Sequence, residues 1–139
     1  FWTGITRPSE LVLKEQNDKN LINKEILTNI RDQALELSSI LNDSNFSIRK
    51  IGKLLDKGWH NKKKLATKIT NNKIDDWYDI ATDMGAIGGK ISGAGGGGFL
   101  CLIVEKKDKN KVVSELSKLG LTEYRFGLDS NGTTVSEIT

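Results

Sequence analysis

Seven glycines fall within the twelve residues 88–99, GGKISGAGGGGF, directly before the apolar run FLCLIV. Glycine loses more freedom on folding than any other residue, so a chain that concentrates it gains something only bare main chain supplies. One such gain is anion binding, because N–H groups free of side chains can converge on a phosphate. Lys90, Ser92, Gly93, Ala94, Gly95, Gly96, Gly97 and Gly98 are therefore the first candidates for a site, with Ser92 adding a hydroxyl and Lys90 a charge. The structural alternative is a loop bent too sharply for side chains. Two or three glycines would suit that; this many favour a backbone held close to a ligand or to another backbone.

Three phosphate-binding templates can be laid on the segment. Gly93, Gly95 and Gly98 satisfy G-x-G-x-x-G, but the dinucleotide fingerprint follows a strand and opens a helix, and here a strand follows. Gly89 and Lys90 supply the G-K of a P-loop, yet Ile91 stands where the hydroxyl belongs and Met84 where the first glycine belongs. A protein-kinase glycine loop lies between strands, but its H-R-D and D-F-G companions are absent.

The elements that must position this segment follow from periodicity. Pro8 and Ser9 suit a helix entry. Ile22, Ile26, Ile30, Ala34, Leu37 and Leu41 recur every three or four residues, which predicts one long amphipathic helix over 18–42. A helix over 47–57 with Gly58 as its left-handed stop, a basic helix over 59–69 anchored by Trp59, and a helix carrying Trp77, Ile80, Ala81 and Met84 to a stop at Gly85 come next. Asp75 and Asp76 belong in the first turn of that last helix, where the dipole favours carboxylates. Phe99–Val104 reads as a strand covered on both faces or central in a sheet, and Asp108 caps a helix ended by Gly120. TEYRF (122–126) and TTVSEI (133–138) read as closing strands. The order implies an α+β fold with helices on one face of a small antiparallel sheet.

At 139 residues with a net charge of +3 the chain is one domain in size. It shows no membrane-length apolar run and no signal segment, so a cytoplasmic protein without a membrane partner is expected. Cys101 reads as a small buried core residue, with neither disulfide nor metal partners. Lys62, Lys63 and Lys64 read as a solvated helix face, since no aromatic interleaving marks a nucleic-acid binder, although Lys62 or Lys63 could face a cleft if that helix lines one. His60 lacks the partners of a nucleophilic or metal site. Phe1 in place of Met, and FWTGIT as the end of a strand already under way, suggest a piece of a longer protein.

KISGAGGGGF, preceded by DMGAIGG and followed by an apolar strand, resembles the third signature motif of the GHMP kinases, the superfamily of galactokinase, homoserine kinase and mevalonate kinase. WTGITR, LKEQ at 13–16 and the W-x-x-K-K-x-L pattern from Trp59 to Leu65 look like one branch, the sugar kinases that act on D-glycero-D-manno-heptose 7-phosphate. The resemblance spans essentially all 139 residues. It implies the ferredoxin-like α+β C-terminal domain of a two-domain kinase that uses ATP and Mg2+ on a sugar or sugar-phosphate acceptor. The active site would lie in the cleft against the missing N-terminal domain. No G-L-G-S-S loop is present, so the main nucleotide site and the catalytic acidic residue are expected outside this chain, which supplies no catalytic residue and no metal ligand. By position, Thr3, Gly4 and Arg7 would reach the acceptor, Arg7 matching phosphate oxygens with its guanidinium fork. The neighbouring expectations are a galactokinase- or fucokinase-like enzyme, and a free-standing ferredoxin-like binding module without catalysis.

Overall fold

A computed structural model describes residues 1–127 and 129–135. Among these residues five helices and two strands run in the order α1 (Glu10–Asp18), α2 (Lys24–Asn42), α3 (Ile48–Lys63), α4 (Asn72–Asp83), β1 (Ala86–Ile91), β2 (Leu100–Val104) and α5 (Lys109–Lys118). The strands pair antiparallel, with Gly89 opposite Leu102 and Ile91 opposite Leu100. The α+β class and the antiparallel sheet are as expected.

Several boundaries differ from the sequence reading. α3 is one helix where two were expected. Ser47 opens it by accepting the Arg49 N–H at 3.3 Å, and Gly58 lies inside it without a positive φ. Gly58 serves close packing: a Cβ there would stand 3.2 Å from Oε1 of Gln33 on α2. Asn71 caps α4, its side chain accepting the Ile74 N–H at 3.1 Å, and Asp75 does fall in the first turn. The expected helix over 18–42 is split by a turn in which buried Asn23 donates to the Leu65 carbonyl at 2.9 Å. α2 packs chiefly on α3, and its apolar stripe is only partly covered. Ile26, Ile30 and Leu37 are half-buried while Ile22, Ala34 and Leu41 are exposed.

β1 was hidden inside the glycine segment. Gly88 and Gly89 are strand residues rather than loop residues, because each lets another backbone through. A Cβ on Gly88 would overlap the Gly52 carbonyl oxygen of α3, and one on Gly89 would overlap the Cys101 carbonyl of β2. α3 thus lies directly on β1, and Tyr78 of α4 fastens the same spot by donating to Asp56 at 2.7 Å and accepting the Gly89 N–H at 3.0 Å. Burial and the adjacent Asp56 carboxylate raise the Tyr78 phenol above its ordinary pKa. The core closes around Trp59, Ile69, Ile74, Ile91, Leu100 and Leu116, all essentially inaccessible. Each such side chain contributes about 1.5–3 kcal/mol through burial.

The C-terminal strands are corrected. In TEYRF only Thr122 pairs, exchanging bonds of 2.8 and 3.2 Å with Trp2. The row Phe1–Thr3 offers it a single bridge, and Tyr124 instead packs edge-on against Phe99. Residues 133–135 form no strand, and the remainder of TTVSEI lies outside the described residues. β2 is correspondingly less covered than expected. Leu100 is buried, but Cys101–Val104 are half-buried along a groove of about 710 Å³ lined by Leu102, Val104, Val112, Tyr124 and Phe126. Cys101 is therefore half-buried rather than part of the closed core.

Glu15 clasps α1 to the turn after α3. It accepts from Lys19 at 2.7 Å and from the Thr67 N–H at 2.9 Å. These bonds, led by that from Lys19, lower its pKa from 4.5 to about 2. A carboxyl whose folded pKa is depressed stabilises the fold above its unfolded value, and the contribution is lost as pH falls through the folded one. Glu15→Gln is therefore expected to flatten the fall in urea midpoint between pH 4.5 and about 2, while an unchanged acid profile would deny Glu15 this role.

Candidate functional site

The loop between β1 and β2 turns on Gly93, Gly95, Gly96 and Gly98, with φ of +76°, +103°, +74° and +83°. These left-handed values disfavour any side chain. Its middle is held against protein. The Gly96 N–H donates to the Ile69 carbonyl at 2.6 Å and the Gly98 N–H to the Ile5 carbonyl at 2.9 Å. A Cβ on Gly95 would stand 2.7 Å from the Ile69 oxygen, and one on Gly97 2.5 Å from the Ile5 oxygen. Gly95–Gly97 are accordingly buried, whereas Ser92 and Gly93 are exposed and Ala94 and Gly98 half-buried. The expected row of amides converging on a ligand is thus divided, with 96 and 98 engaged inside the domain and the accessible stretch at 92–94.

The N-terminal segment forms the other wall. Arg7 lies across the loop and donates from Nε and Nη2 to the Gly95 carbonyl at 3.1 and 2.8 Å. Its guanidinium occupies the space that a Gly96 side chain would need. Among the described residues no carboxylate pairs with it, and desolvation lowers its pKa. Arg7, Ser92, Ala94, Gly95, Gly97 and Gly98 line one cleft of about 260 Å³ with Trp2 and Ile5. Thr3 and Gly4 do not join that lining. Thr3 is buried, its hydroxyl donating to the Gly98 carbonyl at 2.7 Å and accepting the Ile5 N–H at 3.3 Å, so it holds the segment to the loop. Gly4 is an exposed turn with φ +71°.

Lys90 is a half-buried β1 residue outside the cleft. Beside it, Lys62 of α3 donates to the Gly93 carbonyl. Burial, and then the charge of Lys90, hold Lys62 below the usual lysine pKa. The sequence left Lys62 either on a solvated helix face or, with Lys63, facing the cleft if its helix lined it, and the structure brings Lys62 to the loop. Its docking depends on α3 continuing through Gly58, which the helix-stop rule obscured. His60 meets Asp56 at 3.4 Å rather than any nucleophile.

The α+β domain thus exposes a bare turn flanked by Arg7 on one wall and reached by Lys62 at Gly93. The family model for the C-terminal part of GHMP kinases matches residues 39–121, and the chain belongs to that kinase family. It is 29% identical over 120 residues to a D-glycero-alpha-D-manno-heptose 7-phosphate kinase of Campylobacter jejuni, covering 85% of this chain and 35% of the relative. To an L-fucokinase/L-fucose-1-P guanylyltransferase of Bacteroides fragilis it is 27% identical, covering 76% of the chain and 11% of the relative. Among solved structures, L. major mevalonate kinase in complex with R-mevalonate superposes with a TM-score of 0.68 at 17% identity, over 84% of this chain and 36% of that one. The mevalonate kinase of Methanococcus jannaschii gives 0.61 at 25% identity, over 81% and 33%. The chain therefore spans about a third or less of the length of these relatives. No helix among the described residues is long and apolar enough to cross a membrane.

Proposed function

We propose that this chain is the C-terminal part of an ATP-dependent sugar kinase that phosphorylates a hydroxyl of a sugar phosphate of the D-glycero-D-manno-heptose 7-phosphate type. The observation that carries the reading is Arg7, a guanidinium fixed on the Gly95 carbonyl at the wall of a cleft and without a carboxylate partner among the described residues. Its two bonds to Gly95 leave Nη1 for an anionic acceptor, and a guanidinium suits phosphate oxygens. Likeness to the Campylobacter jejuni enzyme supports the choice of acceptor; likeness to the Bacteroides fragilis enzyme supports a second reading, an unphosphorylated fucose-type acceptor.

Phosphoryl transfer is governed by positioning and by stabilising charge on the moving oxygens. Gly93 and Gly98 leave open space where a Cβ would project, so main chain can approach a phosphate there. When bound, ATP supplies the phosphoryl group; in this reading Arg7 and Ser92 orient the acceptor beside the loop. The base and most nucleotide contacts belong to a preceding domain. Among the described residues no cluster of three or more His, Cys, Asp or Glu could hold a metal ion; in this reading the Mg2+ that accompanies ATP would be held by the nucleotide's phosphates and the preceding domain. A cytoplasmic location, where ATP is made, goes with the proposal.

The test is a coupled ADP-release assay of the full-length kinase against a panel of sugars and sugar phosphates. Heptose 7-phosphate is expected to give the highest kcat/KM, and the 139-residue chain alone is expected to transfer nothing. A preference for free fucose or galactose would overturn the acceptor, and stoichiometric phosphorylation by the isolated chain would overturn the division of labour.

A further inference from the structure

Outside the lining of the Arg7 cleft, Lys62 and Lys90 are two cations without counter-ions among the described residues. Of the basic residues in the last turn of α3, Lys63 pairs with Asp75 at 3.0 Å. Lys62 turns instead to the Gly93 carbonyl, and among the described residues neither Lys62 nor Lys90 forms an ion pair. Asp56, earlier on α3, is engaged by Tyr78 at 2.7 Å and His60 at 3.4 Å. Both lysines are half-buried, and the turn between them is open: Ser92 and Gly93 are exposed, and nothing lies within 4 Å of where a Gly93 Cβ would be. The Gly93 and Ala94 amides donate to no backbone acceptor in the described structure. Partly desolvated like charges that feel each other, as Lys62 feels Lys90, are favoured when an anion joins them.

We propose that Lys62, Lys90 and the bare turn at Gly93 form a second phosphoryl-binding position, adjoining the Arg7 cleft at Ser92 and suited to a dianionic phosphate group. Two ammonium groups act as point charges, while the bare turn lets main-chain N–H groups come within hydrogen-bonding distance. The proposal rests on the kinase reading only for the source of the phosphate, which is the acceptor's or the nucleotide's.

The test uses the full-length kinase, with inorganic phosphate as the probe and the lysine ammonium 15N signals as the readout, alongside KM for sugar phosphate and for ATP. Lys62→Gln is expected to weaken phosphate about tenfold or more, the scale of a charged hydrogen bond, and Lys62→Arg to restore most of it. A rise confined to the sugar-phosphate KM assigns the position to the acceptor; a rise confined to the ATP KM assigns it to the nucleotide. Because Lys62 also holds the Gly93 carbonyl, Lys90→Gln serves as a second variant that removes no described bond. If folded Lys62→Gln and Lys90→Gln proteins keep phosphate affinity and both KM values within about twofold of the unsubstituted enzyme, a change too small for a charged contact, the proposal is wrong. Should the kinase phosphorylate no sugar at all, phosphate affinity in these variants still decides the site on its own.

Discussion

Gly88→Ala is expected to destabilise the domain by about 3 kcal/mol or more, at the upper end of what overpacking costs. The added methyl meets the Gly52 carbonyl oxygen, and Cβ and N of Asp56 lie at 2.7 and 3.0 Å. Backbone atoms of a helix cannot swing aside as a side-chain tip can. Relief requires α3 to lift from β1, and the same movement strains Tyr78, whose phenol joins Asp56 to the Gly89 amide. Gly93→Ala is the control. It meets nothing within 4 Å and carries only the left-handed penalty of its φ of +76°, about 1–2 kcal/mol. Urea denaturation of the two variants measures the difference. Equal midpoints would mean that α3 is not seated on β1 through Gly52 and Gly88.

That contrast also shows why the glycine segment was only partly legible. Composition alone locates it, and the resemblance it carries leads to the right family. The letter G does not say which of two physical needs is being met. At Gly93, Gly96 and Gly98 the need is a left-handed turn; at Gly88, Gly89, Gly52 and Gly58 it is room for a neighbour, and the backbone there is ordinary strand or helix. A rule that treats glycine as a stop therefore hides β1 and cuts α3 in two. Gly85 and Gly120, with φ of +111° and +88° at helix ends, are where the rule holds.

The site divides along the same line. Arg7 and the 92–98 turn were legible because the residue types themselves suggest phosphate. Their meeting across roughly ninety residues rests on main-chain bonds of Phe1, Thr3 and Ile5 to Leu100 and Gly98, with the Thr3 hydroxyl bridging Gly98 and Ile5, and pattern cannot reveal such contacts. Lys62 looked like one lysine among three. Only the direction of the last turn of α3 separates it from Lys63, which is tied to Asp75, and from exposed Lys64.

Gly96→Ala should raise the acceptor KM of the full-length kinase about tenfold or more, the range expected for one charged hydrogen bond to phosphate. Its new Cβ falls inside the Arg7 guanidinium, so the side chain must leave the Gly95 carbonyl that fixes it. Arg7→Ala should have a similar effect by removing the group outright. If both act through guanidinium placement, the double variant adds little to either single one, the non-additivity expected of residues in contact. Stability behaves differently. Gly96→Ala carries a left-handed penalty of about 1–2 kcal/mol that Arg7→Ala does not relieve, so the urea midpoint of the double variant stays low while its KM matches the singles. Four proteins, each with KM, kcat and a urea midpoint, complete the cycle. An acceptor KM unaffected by Arg7→Ala would reduce Arg7 to a strut that braces the loop, and the acceptor contact would have to be sought elsewhere.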